Sequence, residues 1–217
     1  MKTKEIASIP PLQVRKLLDK GEGECLDYKK EVSNESKIAK TMVSFANHKG
    51  GKLLIGVNDN RTINGISAEE EKFMLEKAAG FYCRPEITIS IREWQVGKKT
   101  VLEVDIPRGD NKPYFALGED GKWWAYIRVN DESLLASKVV LDVLKRESTG
   151  AQTLISFSSK EKALMEYLSE HRKITLPQFT KLVNISRRRA TIILVNMISI
   201  GVIRAHNTEK TEFYTLS

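Results

Sequence analysis

Three carboxylates, Glu22, Asp27 and Asp59, fall at the edges or ends of segments that read as β-strands, with Lys29, Lys30 and Lys52 beside them. A helix between those strands can bring the edges together, so that three carboxylates sit beside a set of lysines. A second group lies near the other end of the chain, where Arg187, Arg188 and Arg189 follow Ser186, a fitting N-cap, and so occupy the first turn of a helix. The helix dipole is positive there, and each cation costs about 0.3–1 kcal/mol. A DNA phosphate or a guanine edge offsets that cost, because recognition helices meet the major groove with their N-terminal residues and arginine pairs with guanine O6 and N7. Lys181, Arg204 and Lys210 can add phosphate contacts from the preceding helix and a following β-ribbon. The plainer alternative is that the arginines reach solvent or neighbouring carboxylates.

The elements that must hold these groups follow from periodicity and turn chemistry. Pro10-Pro11 opens a short helix over residues 12–19, stopped at Gly21. Between Ser33 and Asn47, Ile38, Ala39, Met42, Val43 and Ala46 recur at helical spacing, with Ser33 or Asn34 as the cap and Gly50 as a left-handed stop. Lys52 to Val57 is continuously apolar, as expected of a central strand buried on both faces. A helix is expected over Ala68–Tyr82, ended by Pro85. Strands Ile87–Trp94 and Thr100–Ile106 then join through Val96-Gly97-Lys98-Lys99, and Tyr114–Leu117 and Trp123–Val129 join through Gly118-Glu119-Asp120-Gly121.

Two sites in this half have competing structural readings. Asn58-Asp59-Asn60 is turn chemistry first, and Asp27 reads equally well as a water-facing charge on an edge strand with Tyr28 facing in. Trp123, Trp124, Tyr126 and Arg128 could offer a stacking face to unpaired bases, although strand alternation turns one tryptophan inward and makes core packing the default.

Residues 148–153, Ser-Thr-Gly-Ala-Gln-Thr, have linker composition and divide the chain into a domain over residues 1–147 and a second over 154–217. The second reads as helices at Ser159–Ser169, Leu176–Val183 and Ser186–Ile200, then a two-stranded ribbon, Val202–His206 and Glu212–Leu216. That order is the winged helix-turn-helix arrangement. In the third helix Ala190, Ile193, Leu194, Met197 and Ile198 form the buried stripe.

A chain of 217 residues that is 41% hydrophobic and 29% charged has ordinary globular composition and can build a packed core. Its net charge of +7 is concentrated in the tail, where residues 148–217 hold ten Lys and Arg against five Asp and Glu. An anionic partner is the natural counterpart of such a domain. The apolar runs are too short to span a membrane and no secretory leader is evident, so a soluble, cytoplasmic protein is expected. Cys25 and Cys83 have neither metal-ligand spacing nor a disulfide framework.

Glu22, Leu26-Asp27-Tyr28-Lys29, Phe45-Ala46-Asn47, Gly50-Gly51, Ile55-Gly56-Val57 and, later, Tyr126-Ile127-Arg128-Val129 appear in the order of a known signature. Over roughly residues 10–140 the chain resembles the AlbA-like domain of Schlafen proteins and of many bacterial transcriptional regulators. The resemblance implies an AlbA/Schlafen-like mixed α/β domain, which with the C-terminal winged helix-turn-helix domain read from the element order makes an α+β chain. It implies a nucleic-acid-binding transcriptional regulator, and the tail reading makes duplex DNA the expected partner, with RNA as a further one; a homodimer is expected, and as a dimer the protein would meet a two-half-site operator. The first domain would supply dimerisation, a sensed ligand, or nucleic-acid contacts through Lys29, Lys30 and Lys52.

The same resemblance carries an alternative, because certain Schlafen proteins cleave RNA with a metal-dependent three-carboxylate centre. Residue matching places those carboxylates at Glu22, Asp27 and Asp59, with Mg²⁺ or Mn²⁺ as the hard cation and Lys29 or Lys52 orienting the phosphate. The chain departs from the family at Asp27, where glutamate is usual, and at His48, where threonine is usual. Outside that alternative no cofactor is expected. Gly50-Gly51-Lys52 follows a helix and opens a strand, the reverse of a P-loop, and Leu53 stands where the Mg²⁺-binding hydroxyl belongs. A protein-interaction module is the third reading.

Overall fold

The computed structural model describes residues 10–149 and 158–217, which fall into two compact units. One runs to Asp110 and resumes over Tyr114–Ser133; the other takes Asn111–Pro113 and the chain from Leu134 onward. The expected linker at residues 148–153 therefore does not coincide with this division. Ser148 and Thr149 end a helix, and residues 150–153 lie outside the described residues.

The first unit begins with helix α1 (Leu12–Lys20), strand β1 (Leu26–Lys29), helix α2 (Glu35–Ala46) and strand β2 (Gly51–Ile55). β1 and β2 pair in parallel, with Leu26 opposite Lys52 and Lys29 opposite Ile55, so α2 is the crossover that a parallel pair requires. Asn34 caps α2 by accepting from the Lys37 N–H at 3.2 Å. Helix α3 (Ala68–Phe81) and the short strand β3 (Cys83–Arg84) precede the hairpin of β4 (Ser90–Val96) and β5 (Lys99–Ile106). Val96 pairs with Lys99, leaving Gly97-Lys98 as its two-residue turn. The sheet order is β1-β2-β5-β4.

β2 is central, as its apolar run predicts. Leu53 and Ile55 point into a core built with α2 and α3, while Leu54 joins Leu26, Tyr28, Val57, Val96 and Val101 on the opposite face, where Leu17 and Leu18 of α1 close it. The two glycines before β2 are set by close approach. A Cβ on Gly50, whose φ is +78°, would lie 2.7 Å from the Arg108 backbone nitrogen, and one on Gly51 would lie 2.7 Å from the Phe45 ring.

The unit continues with β6 (Phe115–Leu117), β7 (Trp123–Trp124) and β8 (Tyr126–Val129). The single strand expected over Trp123–Val129 is thus two. β7 pairs with β6 in a sheet with β3, whereas β8 pairs with β9 (Glu132–Leu135). The change of partner occurs at Ala125, which is buried.

Helix α4 (Lys138–Thr149), to which the sequence reading assigns no element, belongs to the second unit and buries Val139 and Leu144. It packs on α7 (Arg187–Ser199), beside α5 (Ser159–His171) and α6 (Leu176–Leu182). Strands β10 (Ile203–Asn207) and β11 (Glu212–Leu216) form the antiparallel wing, and a bridge between Ile174 and Tyr214 ties it to the lead-in of α6. This is an α+β chain, a mixed α/β unit followed by a winged-helix unit. Among the described residues no helix is long and apolar enough to cross a membrane.

Candidate nucleic-acid interface and carboxylate cluster

The tail unit presents its cations on two capped helices and on the wing. α6 starts with a capping box, in which the Thr175 hydroxyl accepts from the Gln178 N–H and the Gln178 side chain accepts from the Thr175 N–H. Ser186 caps α7 by accepting from the Arg189 N–H at 3.3 Å. Ala190, Ile193, Leu194 and Met197 are buried, so the apolar stripe anchors α7 and its first turn stays outside. Arg187, Arg188 and Arg189 are exposed, as are Lys181 at the end of α6, Arg204 on β10 and Lys210 in the wing turn. None of the six forms a salt bridge among the described residues. The turn carrying Lys210 is closed by Thr208, whose N–H donates to Thr211 O at 2.9 Å.

The cluster in the first unit has a different character. Glu22 and Asp27 are brought together at the start of β1. Glu22 Oε1 accepts from the Tyr28 N–H at 2.9 Å, and burial, reinforced by a hydrogen bond with Asp27, raises the Glu22 carboxyl above its ordinary value. Asp27 is only 4% exposed. Its Oδ2 meets Lys29 Nζ at 2.6 Å and its Oδ1 meets the Arg128 guanidinium at 3.4 Å.

Arg128, itself 4% exposed, also donates from Nε to Gly23 O at 3.1 Å and stacks over the Phe45 ring at 4.8 Å. The water-facing edge expected for Asp27 is therefore corrected: it is the buried anion of a charge pair whose cation comes from β8. Arg128 is likewise withdrawn from the stacking face with Trp123, Trp124 and Tyr126.

Asp59 does not join this pair. It sits exposed in the turn from Asn58 to Thr62, where the Arg61 N–H donates to Asn58 O at 2.7 Å. Among the described residues no group of three or more His, Cys, Asp or Glu side chains can hold a metal ion. The donor set that the resemblance implies for Mg²⁺ or Mn²⁺ does not fit, because one carboxylate is exposed in a turn and another is neutralised by Arg128 and Lys29.

Of the lysines, Lys30 is exposed, Lys29 is bound to Asp27, and Lys52 donates to Glu103 at 2.9 Å and Asp105 at 2.6 Å. Burial works against the Lys52 charge, yet those two carboxylates outweigh it and raise the ammonium above its ordinary value. Glu103 is held in turn by the Trp94 Nε1–H at 2.9 Å.

The sequence reading missed Arg128 as a counter-ion, Glu103 as the anchor of Lys52, and Asn47 as a clamp. The Asn47 side chain donates to Tyr114 O and Tyr126 O, both at 2.9 Å, and accepts from the Tyr114 N–H at 2.8 Å. Phe45-Ala46-Asn47 marked the segment without revealing that role. His48 approaches Glu24 at 3.6 Å. Both cysteines are free, and burial pushes the Cys83 thiol up to about 12.

Comparison with known proteins returns two family matches: "Schlafen, AlbA_2" over residues 22–137 and "PCI domain" over residues 156–212. No curated protein matches. Among solved structures, the DIP2311 protein of Corynebacterium diphtheriae aligns at 15% identity and a TM-score of 0.45 over 63% of this chain and 32% of that one, so the chain spans about a third of its length. The N-terminal domain of an ATP-dependent DNA helicase RecG-related protein of Nitrosomonas europaea aligns at 25% identity and a TM-score of 0.39, covering 58% of this chain and 95% of that one. The Schlafen, AlbA_2 match spans more than half of the 217 residues and takes in Asn47, the Gly50-Gly51 turn, central strand β2 and the Asp27–Arg128 pair; the chain belongs to that family.

Proposed function

We propose that the protein binds nucleic acid and that its tail unit reads duplex DNA through Arg187, Arg188 and Arg189, as a transcriptional regulator does. One observation carries this reading: three exposed arginines stand in the N-capped first turn of α7 with no salt bridge among the described residues. Each loses about 0.3–1 kcal/mol to the helix dipole, and a phosphate or guanine edge recovers it. Lys181, Arg204 and Lys210 supply phosphate contacts, and a homodimer would meet two half-sites about one helical turn apart. The nuclease reading is weaker, since Asp27 serves as the anion of a buried pair and Asp59 is exposed in a turn. This function needs no resident cofactor.

The test is fluorescence anisotropy with labelled duplex DNA over a salt series, comparing the full chain with the Arg187→Ala/Arg188→Ala/Arg189→Ala variant. The parent should bind and weaken steeply with salt. The variant should lose affinity and about 2–3 units of the slope of log K against log salt, as three lost phosphate contacts predict. Equal affinity and slope for both chains would sink the assignment of α7. No binding at low salt would sink DNA binding itself and favour a protein-interaction module.

A further inference from the structure

A cleft of about 320 Å³ opens in the first unit between the N-terminal half of α2 and the turn joining β6 to β7. Small-molecule sites begin at about this size, roughly 300 Å³. One wall is aromatic and fixed. The Trp124 Nε1–H donates to the two Asp120 carboxylate oxygens at 3.2 and 3.3 Å, so the edge of the indole is pinned while its ring lines the cleft.

Gly118 makes that fit possible, since a Cβ there would lie 2.6 Å from Asp120 Oδ1 and 3.0 Å from the indole Cδ1. Tyr126 continues the wall. Lys37 and Lys40 of α2 also line the cleft; they lie three residues apart and so share one side of the helix. Neither forms a salt bridge among the described residues, and the Lys40 ammonium stands 5.1 Å from the centre of the Tyr126 ring.

The two carboxylates at this cleft are already engaged. Asp120 takes the Lys122 N–H and the Trp124 indole, which hold its carboxyl below the ordinary value, and Glu119 accepts from the Asn34 amide at 3.4 Å. The two lysines are left as the cations facing the opening. A flat aromatic group lying against a pinned indole and carrying an anion within reach of two ammonium groups describes one ligand class. We propose that this cleft binds a nucleotide, with its base stacked on Trp124 and its phosphate on Lys37 and Lys40, the latter ammonium lying over the Tyr126 ring. The same chemistry belongs to a free nucleotide and to an unpaired residue of a single strand. A duplex does not offer it, because the base faces there are covered by their neighbours. The site lies wholly in the first unit and does not depend on α7.

The experiment uses the full chain carrying Arg187→Ala, Arg188→Ala and Arg189→Ala, so that any tail contribution is removed. One arm titrates a fluorescein-labelled single-stranded thymidine oligonucleotide by anisotropy; the other titrates free adenosine and guanosine monophosphates by calorimetry. Trp124→Ala should weaken binding about 10-fold or more, as loss of one stacked base predicts, while Trp124→Phe should stay within a few-fold of the parent. In the oligonucleotide arm Lys37→Ala should also lower the salt slope by about 0.7, one phosphate contact to a single strand. Binding in the calorimetric arm with this pattern identifies a free-nucleotide site, and binding in the anisotropy arm alone identifies a single-strand site. No binding of either probe, or binding that Trp124→Ala and Lys37→Ala leave unchanged, overturns the proposal.

Discussion

Asp27, Arg128 and Lys29 concentrate the electrostatic stakes of the first unit in a few atoms. A buried aspartate is tolerable only because a guanidinium and an ammonium meet it, and removing one partner of such a pair typically costs about 3–5 kcal/mol. Glu22, beside it, is partly buried and also feels that anion, and so titrates above the ordinary carboxylate value of 4.5. Folding favours the protonated form of a group raised in this way. Its contribution to stability is fully present below about pH 4.5 and is lost as pH rises through the elevated folded-state value. Glu22→Gln fixes the neutral form and still accepts from the Tyr28 N–H. Urea denaturation across pH should therefore find the variant more stable than the parent at neutral pH, with the gap closing below about pH 4.5. A parent that is the more stable chain at neutral pH would sink this account.

The elements show which parts of the fold local sequence specifies. β2 was legible as a central strand because its apolar run had no polar face to give to water, and α7 with the wing was legible from period and cap. α4 was not: Ser137 caps it, its hydroxyl accepting from the Val140 N–H at 3.2 Å, yet the sequence reading left the span before the expected linker unassigned. The break between β7 and β8 was invisible for another reason. Strand alternation runs on through Ala125, and only pairing with β6 on one side and β9 on the other divides it.

The same limit governs the candidate site. The Arg187–Arg189 turn is local and could be read, whereas the pairing of Asp27 with Arg128 joins β1 to β8 and leaves no mark in the spacing of either. Asn47 works at this scale, tying the end of α2 to Tyr114 and Tyr126 by three hydrogen bonds. Asn47→Ala leaves buried backbone groups unpaired, each worth about 1–3 kcal/mol, so a loss of about 3 kcal/mol is expected in chemical denaturation. A loss below 1 kcal/mol would show that water replaces the clamp.

At the scale of the whole chain, the two units have separate buried cores. One lies around β2, α2 and α3; the other is formed by α4 to α7 and the wing. The three tryptophans, Trp94, Trp123 and Trp124, all belong to the first unit, so their fluorescence reports that core, whereas far-ultraviolet dichroism reports helices of both. Leu194 is fully buried in the second core, and truncating it should cost that unit about 2–5 kcal/mol. Leu194→Ala should therefore split the unfolding curve. The dichroism should gain an earlier transition and duplex-DNA affinity should fall with it, while the tryptophan midpoint stays where it was. A tryptophan midpoint that moves together with the dichroism would mean that the chain unfolds as one cooperative body. The duplex-reading role would then have to be tested in a chain whose AlbA-like unit is also intact.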